Sequence, residues 1–307
     1  MTALLVLRAG PQALVEDLGR PGHAGEGVPR SGAIDPDALR VANRLVGNPP
    51  GTPGLELLLG GQRLQAQGRL RVAVTGAAGP VTIAAPEGGR RPAAWSASLL
   101  LEDGEVLELG ATTFGIRYVL GVRGGLAVPR TLGSPSTDVL SGLGPAPLRD
   151  GDVLPVGPAT GTVPALDLVP VTAPPAHEVL LRIGPGPRRD WFDADAWSTL
   201  LDGPWTVGQD ADRIGIRLDG PTLVRRRLGE LPSEGVVTGA LQVPPVGRPV
   251  LFLADHPTTG GYPVIAVVAA ADLPLAGQLR PGQFVAFAEG PPSAGPFRTV
   301  GPRLPLV

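Results

Sequence analysis

The sequence predicts an all-β protein with few short helices, and three observations carry that expectation. Its apolar runs are short. Turn formers are abundant, with 45 glycines and 37 prolines in 307 residues. Hydrophobic residues reach 43% against 18% charged, a balance that sustains packed cores and argues against disorder. In chain order, apolar runs at 4–7, 55–59, 70–74, 81–84, 99–101, 106–109, 116–122 and 153–156 are separated by Gly, Pro and Asp, the spacing of sandwich or barrel strands. One helix interrupts them at 36–46. Asp35 suits its N-cap, Pro36 its first position and Asp37 the positive end of its dipole. Leu39, Ala42, Leu45 and Val46 recur at helical spacing before Gly47-Asn48-Pro49 stops it. Composition then shifts between 157 and 176 to Pro, Thr, Ala and Gly without periodicity, which places a linker at 161–174 between domains 1–160 and 175–290. The second domain repeats the strand pattern at 179–183, 214–218, 235–243, 250–253, 264–269 and 284–287, with a short helix near 193–201.

Composition also excludes chemistry. No cysteine occurs, which removes disulfides, thiolate catalysis and cysteine-bound zinc, and fits a reducing compartment. Every basic residue is arginine, so a Walker A loop, a Schiff base and a biotinylated lysine have no place in this chain. His23, His177 and His256 lack metal-ligand spacing, and no Gly-x-Ser-x-Gly elbow is present. A net charge of −2 without a basic cluster interleaved with aromatics gives no reason to expect nucleic acid as a partner, and Arg225-Arg226-Arg227 reads as a solvated charge run. The N-terminus has no basic leader and no stretch is long enough to span a membrane, so the expected location is cytoplasmic.

The segment from Asp255 to Pro263 joins an exposed loop to a buried strand. Gly260 and Gly261 can take positive φ and admit a ligand to their N–H groups, beside the hydroxyls of Thr258 and Thr259 and the carboxylate of Asp255. That chemistry suits an anion or carbonyl, with Asp255, Thr258 and Thr259 as candidate catalytic groups. The alternative is a Gly-rich hairpin whose threonines serve strand propensity. His256 reads either as a proton shuttle or as an exposed turn residue. Arginine forks at glycine-marked turns fit a carboxylate or phosphate, so Arg20, Arg30, Asp35, Arg213 and Arg217 join Gly260, Gly261 and Tyr262 as candidate substrate or phosphate contacts. For Asp17–Arg20 and Asp212–Arg213 the competing reading is an internal ion pair that holds a loop. Asn43 and Glu56 read as structural partners of the first turn, and Ser134 and Ser136 as turn caps. No metal ligands are expected.

Two blocks carry a family resemblance. The first is Glu16-Asp17-Leu18-Gly19-Arg20, Ser31-Gly32-Ala33-Ile34-Asp35, Ala42-Asn43, Leu45-Val46-Gly47-Asn48 and Leu55-Glu56. The second is Asp255-His256-Pro257-Thr258-Thr259-Gly260-Gly261-Tyr262-Pro263, Asp272-Leu273 and Gln278-Leu279-Arg280-Pro281-Gly282. Together they resemble the KipA family, also known as allophanate hydrolase subunit 2 or as the C subunit of 5-oxoprolinase, over roughly residues 5 to 290. Glu16 stands where the family has Gln, Ile34 and Ile214 for Met, Ala211 for Ser and Pro257 for Gln, and an arginine is missing near Ala146. The resemblance implies two cyclophilin-like β-barrels. It also implies a role as the C subunit of an ATP-dependent 5-oxoprolinase, working with a KipI-like B subunit, with a LamB/YcsF-type A subunit, and with ATP and Mg²⁺ shared with the partner. Two alternatives come with it: half of a biotin-dependent carboxyltransferase of the urea type, with biotin carried on another protein, and a regulatory protein that sequesters a KipI-like kinase inhibitor.

Overall fold

The structure is a computed structural model, and it describes residues 2–165, 168–227, 229 and 231–290. The first half carries β1 (Ala3–Arg8), β2 (Ala13–Glu16), α1 (Pro36–Val46), β3 (Gly54–Leu58), β4 (Arg63–Gln67), β5 (Leu70–Ala78), β6 (Val81–Ala84), β7 (Arg90–Pro92), β8 (Ser98–Leu101), β9 (Val106–Leu109), β10 (Phe114–Val122) and β11 (Val153–Pro155). They form a six-stranded sheet in the order β11-β1-β4-β9-β6-β7 and a five-stranded sheet in the order β2-β3-β10-β5-β8. The inward residues of both sheets, among them Leu4, Val6, Leu55, Leu64, Val72, Leu107 and Leu120, make one core. Alternation along β5 explains the second layer: Leu70, Val72 and Val74 point into that core, whereas Ala73 on the opposite face packs with Leu39, Ala42 and Leu45 of α1.

The second half carries β12 (Glu178–Pro185), α2 (Ala196–Asp202), β13 (Trp205–Val207), β14 (Gly215–Asp219), β15 (Glu234–Gly235), β16 (Ala240–Gln242), β17 (Val250–Phe252), β18 (Thr259–Gly260), β19 (Val264–Val268), α3 (Leu273–Ala276) and β20 (Phe284–Glu289). Seven of these strands close a barrel in the order β12-β19-β16-β17-β14-β13-β20, sealed by the parallel pairing of β12 with β20. Closure leaves no free strand edge. β15 and β18 form a separate two-stranded ribbon outside it.

The expected helix at 36–46 coincides with α1. The Asp35 carboxylate accepts from Ala38 N at 2.9 Å, and Gly47 ends the helix at φ 76°. The helix expected at 193–201 is α2, shifted to Ala196–Asp202 and preceded by a 3₁₀ turn at Arg189–Trp191. The single run expected at 235–243 is two strands, because Gly239 turns the chain at φ 88° between β15 and β16. Strands β2, β4 and β13 escape a reading by apolar runs because each offers only two or three apolar side chains. The segment expected as a linker lies along the first half, where Ser96 exchanges hydrogen bonds with Val169 and Ala97 bridges Leu168.

The two halves meet through packing and polar contacts. Ile34, from the first half, belongs to the barrel core. It lies against Gly277, where a Cβ would stand 2.0 Å from the Ile34 Cγ2, so only glycine fits at that point. Next to it, Gln278 Oε1 accepts from Ile116 N and Arg117 N, and Gln278 Nε2 donates to Asp35 Oδ2 at 2.9 Å and to Arg117 O. Arg117 donates to Gly277 O at 2.7 Å, and Arg280 to Thr112 O and Gly115 O.

Burial raises the Asp35 carboxyl from an ordinary 3.8 to about 6, against the stabilising pull of Gln278 and Ala38 on its charged form. A raised folded-state value means that the proton is held more tightly in the folded protein. The stability it contributes is therefore present below about pH 4 and lost as pH rises to about 6, a change of about 3 kcal/mol. Asp35→Ser keeps a capping hydroxyl and removes the titration. Denaturant unfolding of the two proteins is expected to show the wild type losing stability relative to Asp35→Ser between about pH 4 and pH 6.5; parallel curves would exclude the titration.

Candidate functional site

The centre of the seam is Arg213, which is 1% exposed. Its Nε donates to Asp255 Oδ2 at 2.8 Å, and Nη2 donates to Asp255 Oδ1 at 3.0 Å, the bidentate geometry of a guanidinium on a carboxylate. Nη1 reaches Glu56 Oε1 at 2.7 Å, Nη2 also reaches Gly32 O at 2.7 Å, and Glu16 Oε1 stands 3.3 Å away. Arg213 and Asp255 belong to the second half; Glu56, Glu16 and Gly32 belong to the first. Asp255 is equally enclosed, at 0% exposure, and accepts from Ser31 Oγ at 2.6 Å and from Val139 N at 3.1 Å. Arg117 Nε lies 3.3 Å from Glu56 Oε1 and adds a second cation.

This arrangement bears on two expectations. Arg213 was expected to bind substrate and Asp255 to act in catalysis, yet both spend their donors and acceptors on the protein itself. Their internal pairing is the competing reading, with a different partner: Arg213 pairs with Asp255, while Asp212 accepts from Ile214 N and Gly215 N to close a turn. Nothing between residues 213 and 255 in sequence signals that contact.

Burial and charge pull against each other in the cluster. Burial opposes the charge of Arg213, but Glu16, Glu56 and Asp255 outweigh it and hold the guanidinium well above its ordinary pKa. Burial drives Glu16 the other way, well above the usual carboxylate range, with Arg213 opposing and Glu56 and Asp255 adding to the rise. Glu16 and Arg213 are thus both pushed towards their protonated forms.

The Glu16-Asp17-Leu18-Gly19-Arg20 turn fits against the 30–32 loop. A Cβ on Gly19 would meet Arg30 O at 2.4 Å, and one on Gly32 would meet Gly19 N at 2.6 Å, so the two glycines allow the backbones to touch. Both have positive φ, and so does Ser31 at 54°, a strained value for a residue with a side chain. Its hydroxyl, fixed between Asp255 Oδ1 and Thr137 O, compensates. Asp17 accepts from Gly19 N, Ser134 Oγ and Ser136 Oγ, which makes the two serines structural. Arg20 is also enclosed and donates to Thr131 O and Ser136 O. Arg20 and Asp35, expected as ligand contacts, make hydrogen bonds inside the protein. Arg30 is exposed and donates to Leu18 O, and Arg217 is exposed on β14.

The loop that begins at Asp255 is buried at its root and open at its tip. His256 is 6% exposed, stacks on Phe252 at 5.8 Å and bonds Pro257 O through Nδ1 at 2.7 Å; burial lowers its pKa. It is therefore not an exposed turn histidine. Thr258 O accepts from Val236 N, and Thr259 and Gly260 pair with Gly235 and Glu234. Neither Gly260 nor Gly261 adopts positive φ, contrary to expectation. A Cβ on Gly260 would stand 2.5 Å from Gln242 Nε2, the end of a flexible side chain. The Thr259 and Tyr262 side chains face solvent, with Arg225 5.6 Å over the Tyr262 ring. Among the described residues, no group of three or more His, Asp or Glu side chains is disposed to hold a metal ion.

Glu16→Gln preserves shape and removes the acid. Because the folded protein holds the Glu16 proton more tightly than the unfolded chain, its contribution is present at acid pH and lost as pH rises. The variant is expected to match the wild type near pH 4 and to exceed it in denaturant stability by an amount that grows with pH; a variant that loses stability as pH rises would show that Glu16 works as an anion.

Known proteins share this architecture. The family described as carboxyltransferase domain, subdomain A and B, matches residues 26–289. The C subunit of Escherichia coli 5-oxoprolinase is 34% identical over 294 residues, covering 93% of this chain and 91% of that protein. The urea amidolyase of Saccharomyces cerevisiae is 31% identical over 93% of this chain but only 16% of its own length. Among solved structures, that of TTHA0988 superposes with a TM-score of 0.83 at 38% identity, covering 94% of this chain and 56% of that one. The Kluyveromyces lactis urea carboxylase gives 0.80 at 30% identity, covering 94% and 27%. The chain belongs to the carboxyltransferase family of subdomains A and B, which it shares with the C subunits of 5-oxoprolinase.

Proposed function

We propose that this chain is the C component of an ATP-dependent 5-oxoprolinase that converts 5-oxo-L-proline to L-glutamate in concert with A and B components. The observation that carries this reading is the end-to-end correspondence with the Escherichia coli protein, over 93% of one chain and 91% of the other. The chemistry is demanding because a lactam is a poor electrophile. Transfer of the γ-phosphoryl group of ATP to the lactam oxygen activates the ring carbon, one water adds there, the adduct expels the ring nitrogen to leave γ-glutamyl phosphate, and a second water hydrolyses that acyl phosphate to glutamate and phosphate. Such a step needs charge stabilisation and exclusion of bulk water more than a covalent nucleophile. In this chain Thr258, Thr259, Tyr262, Arg30 and Arg217 are the expected contacts with substrate or with the partner proteins, and the Arg213–Asp255 pair acts as a positioning element for the loop. No lysine and no metal-holding cluster among the described residues are available to ATP and Mg²⁺, so the larger part of that site is assigned to the partner proteins.

A second reading rests on the likeness to urea carboxylase: half of a carboxyltransferase, with biotin brought in by another protein because this chain has no lysine. Reconstitution separates the two. The isolated chain is expected to be silent, and addition of the A and B homologues to yield ADP release that depends on 5-oxoproline. Turnover that requires a biotinylated carrier would favour the second reading, and tight assembly without turnover would favour sequestration of a KipI-like protein. In the active assembly, Thr259→Val is expected to leave folding intact and lower kcat/KM about tenfold or more, the worth of one hydrogen bond to a charged group. Full activity would remove the threonine tip from the site.

A further inference from the structure

The outer face of the five-stranded sheet is covered by α1 only in part. Where α1 ends, the sheet floor turns basic. Arg123 N donates to Arg71 O at 2.9 Å, continuing the register in which Val122 lies opposite Val72, so Arg71 and Arg123 are cross-strand neighbours. Val72 points into the core, which puts both arginines on the outer face, and Arg69, two residues before Arg71, shares that face. Directly opposed side chains in a sheet have Cβ atoms about 5 Å apart, and like charges there destabilise the pair. Glu102, paired with Arg69 at 3.2 Å, is more than half exposed, as is Arg69, so it neutralises little.

Two of the guanidiniums are held in place. Arg123 Nη1 donates to Val46 O at the end of α1, at 3.0 Å, and Nη2 donates to Gly161 O at 2.6 Å. Arg71 Nη1 donates to Ser98 Oγ at 2.9 Å, its one side-chain hydrogen bond among the described residues, which leaves the other nitrogens of its fork to a ligand. The three arginines line an open cleft of 460 Å³ with apolar walls that include Leu100, Val156 and Val163. Two held cations with an exposed third beside them, apolar walls, and no counter-ion equal to them among the described residues describe an oxyanion receptor.

We infer that this cleft binds a multiply charged phosphate oxyanion, either free phosphate or pyrophosphate or the phosphate tail of a nucleotide, with Arg71 as its central ligand. The site is separate from the threonine loop and does not depend on the function proposed above. The test is calorimetric titration of the full chain at low ionic strength with inorganic phosphate, pyrophosphate, ATP and adenosine. Saturable binding of pyrophosphate is expected. Arg71→Gln, on the surface and outside the seam, is expected to weaken it about tenfold or more, and Arg71→Lys to weaken it less. Arg40→Gln, which removes an exposed arginine elsewhere, is expected to bind as the wild type does. ATP binding no tighter than pyrophosphate identifies the oxyanion as the whole ligand; tighter ATP binding identifies the nucleotide as its source. Absence of saturable binding by any phosphate species, equal affinity in Arg71→Gln, or equal binding of adenosine would overturn the inference.

Discussion

The ion pair between Arg213 and Asp255, closed by Glu56 of the opposite half, is the constraint on which the rest of the structure depends. Each of these groups is removed from water, and a lone charge in such a place costs several kcal/mol. The cost is offset only when all partners are present, which requires the barrel and the two-sheet half to meet in one register. Geometry follows from that condition. Ser31 is held in a left-handed conformation, the Gly19 and Gly32 backbones are brought into contact, and Ile34 is delivered into the barrel core against Gly277.

The same pair sets the direction of the Asp255–Pro263 loop. Its root is immobilised by the hydrogen bonds that the Asp255 carboxylate accepts from Ser31, Val139 and Arg213, and by the stacked, enclosed His256. The tip is then presented by the β15–β18 ribbon with Thr259 and Tyr262 outward. A buried charge pair under an exposed polar tip is a way to place small functional groups on a rigid base, where a flexible glycine loop would spread them over many positions. Gly260 lies beside the Gln242 side chain in an ordinary backbone conformation.

Much of the fold was legible in the sequence, and the reasons are local. The helix at 36–46 announced itself through Asp35, Pro36 and Gly47, each acting within a few residues. The all-β character followed from short apolar runs and frequent turns. Long-range pairing was not legible. Arg213 reads as an anion contact or as the partner of Asp212, and only the three-dimensional register brings it to Glu56, 157 positions away. For the same reason Arg20 and Asp35 resembled ligand contacts: a glycine-marked turn with charges looks alike whether a ligand or another part of the chain occupies it. Arg71 and Arg123 are likewise illegible in sequence, because strand pairing alone makes them neighbours.

The central claim is that charge across the seam, from Arg213 to Glu56, holds the two halves in register. A double-mutant cycle with Arg213→Gln and Glu56→Gln, read by denaturant unfolding, measures that coupling directly. The expected coupling energy is about 2 kcal/mol, within the range for contacting residues in one network, with each single variant destabilised by about 3 kcal/mol or more. Additive losses, with coupling near zero, would contradict the claim.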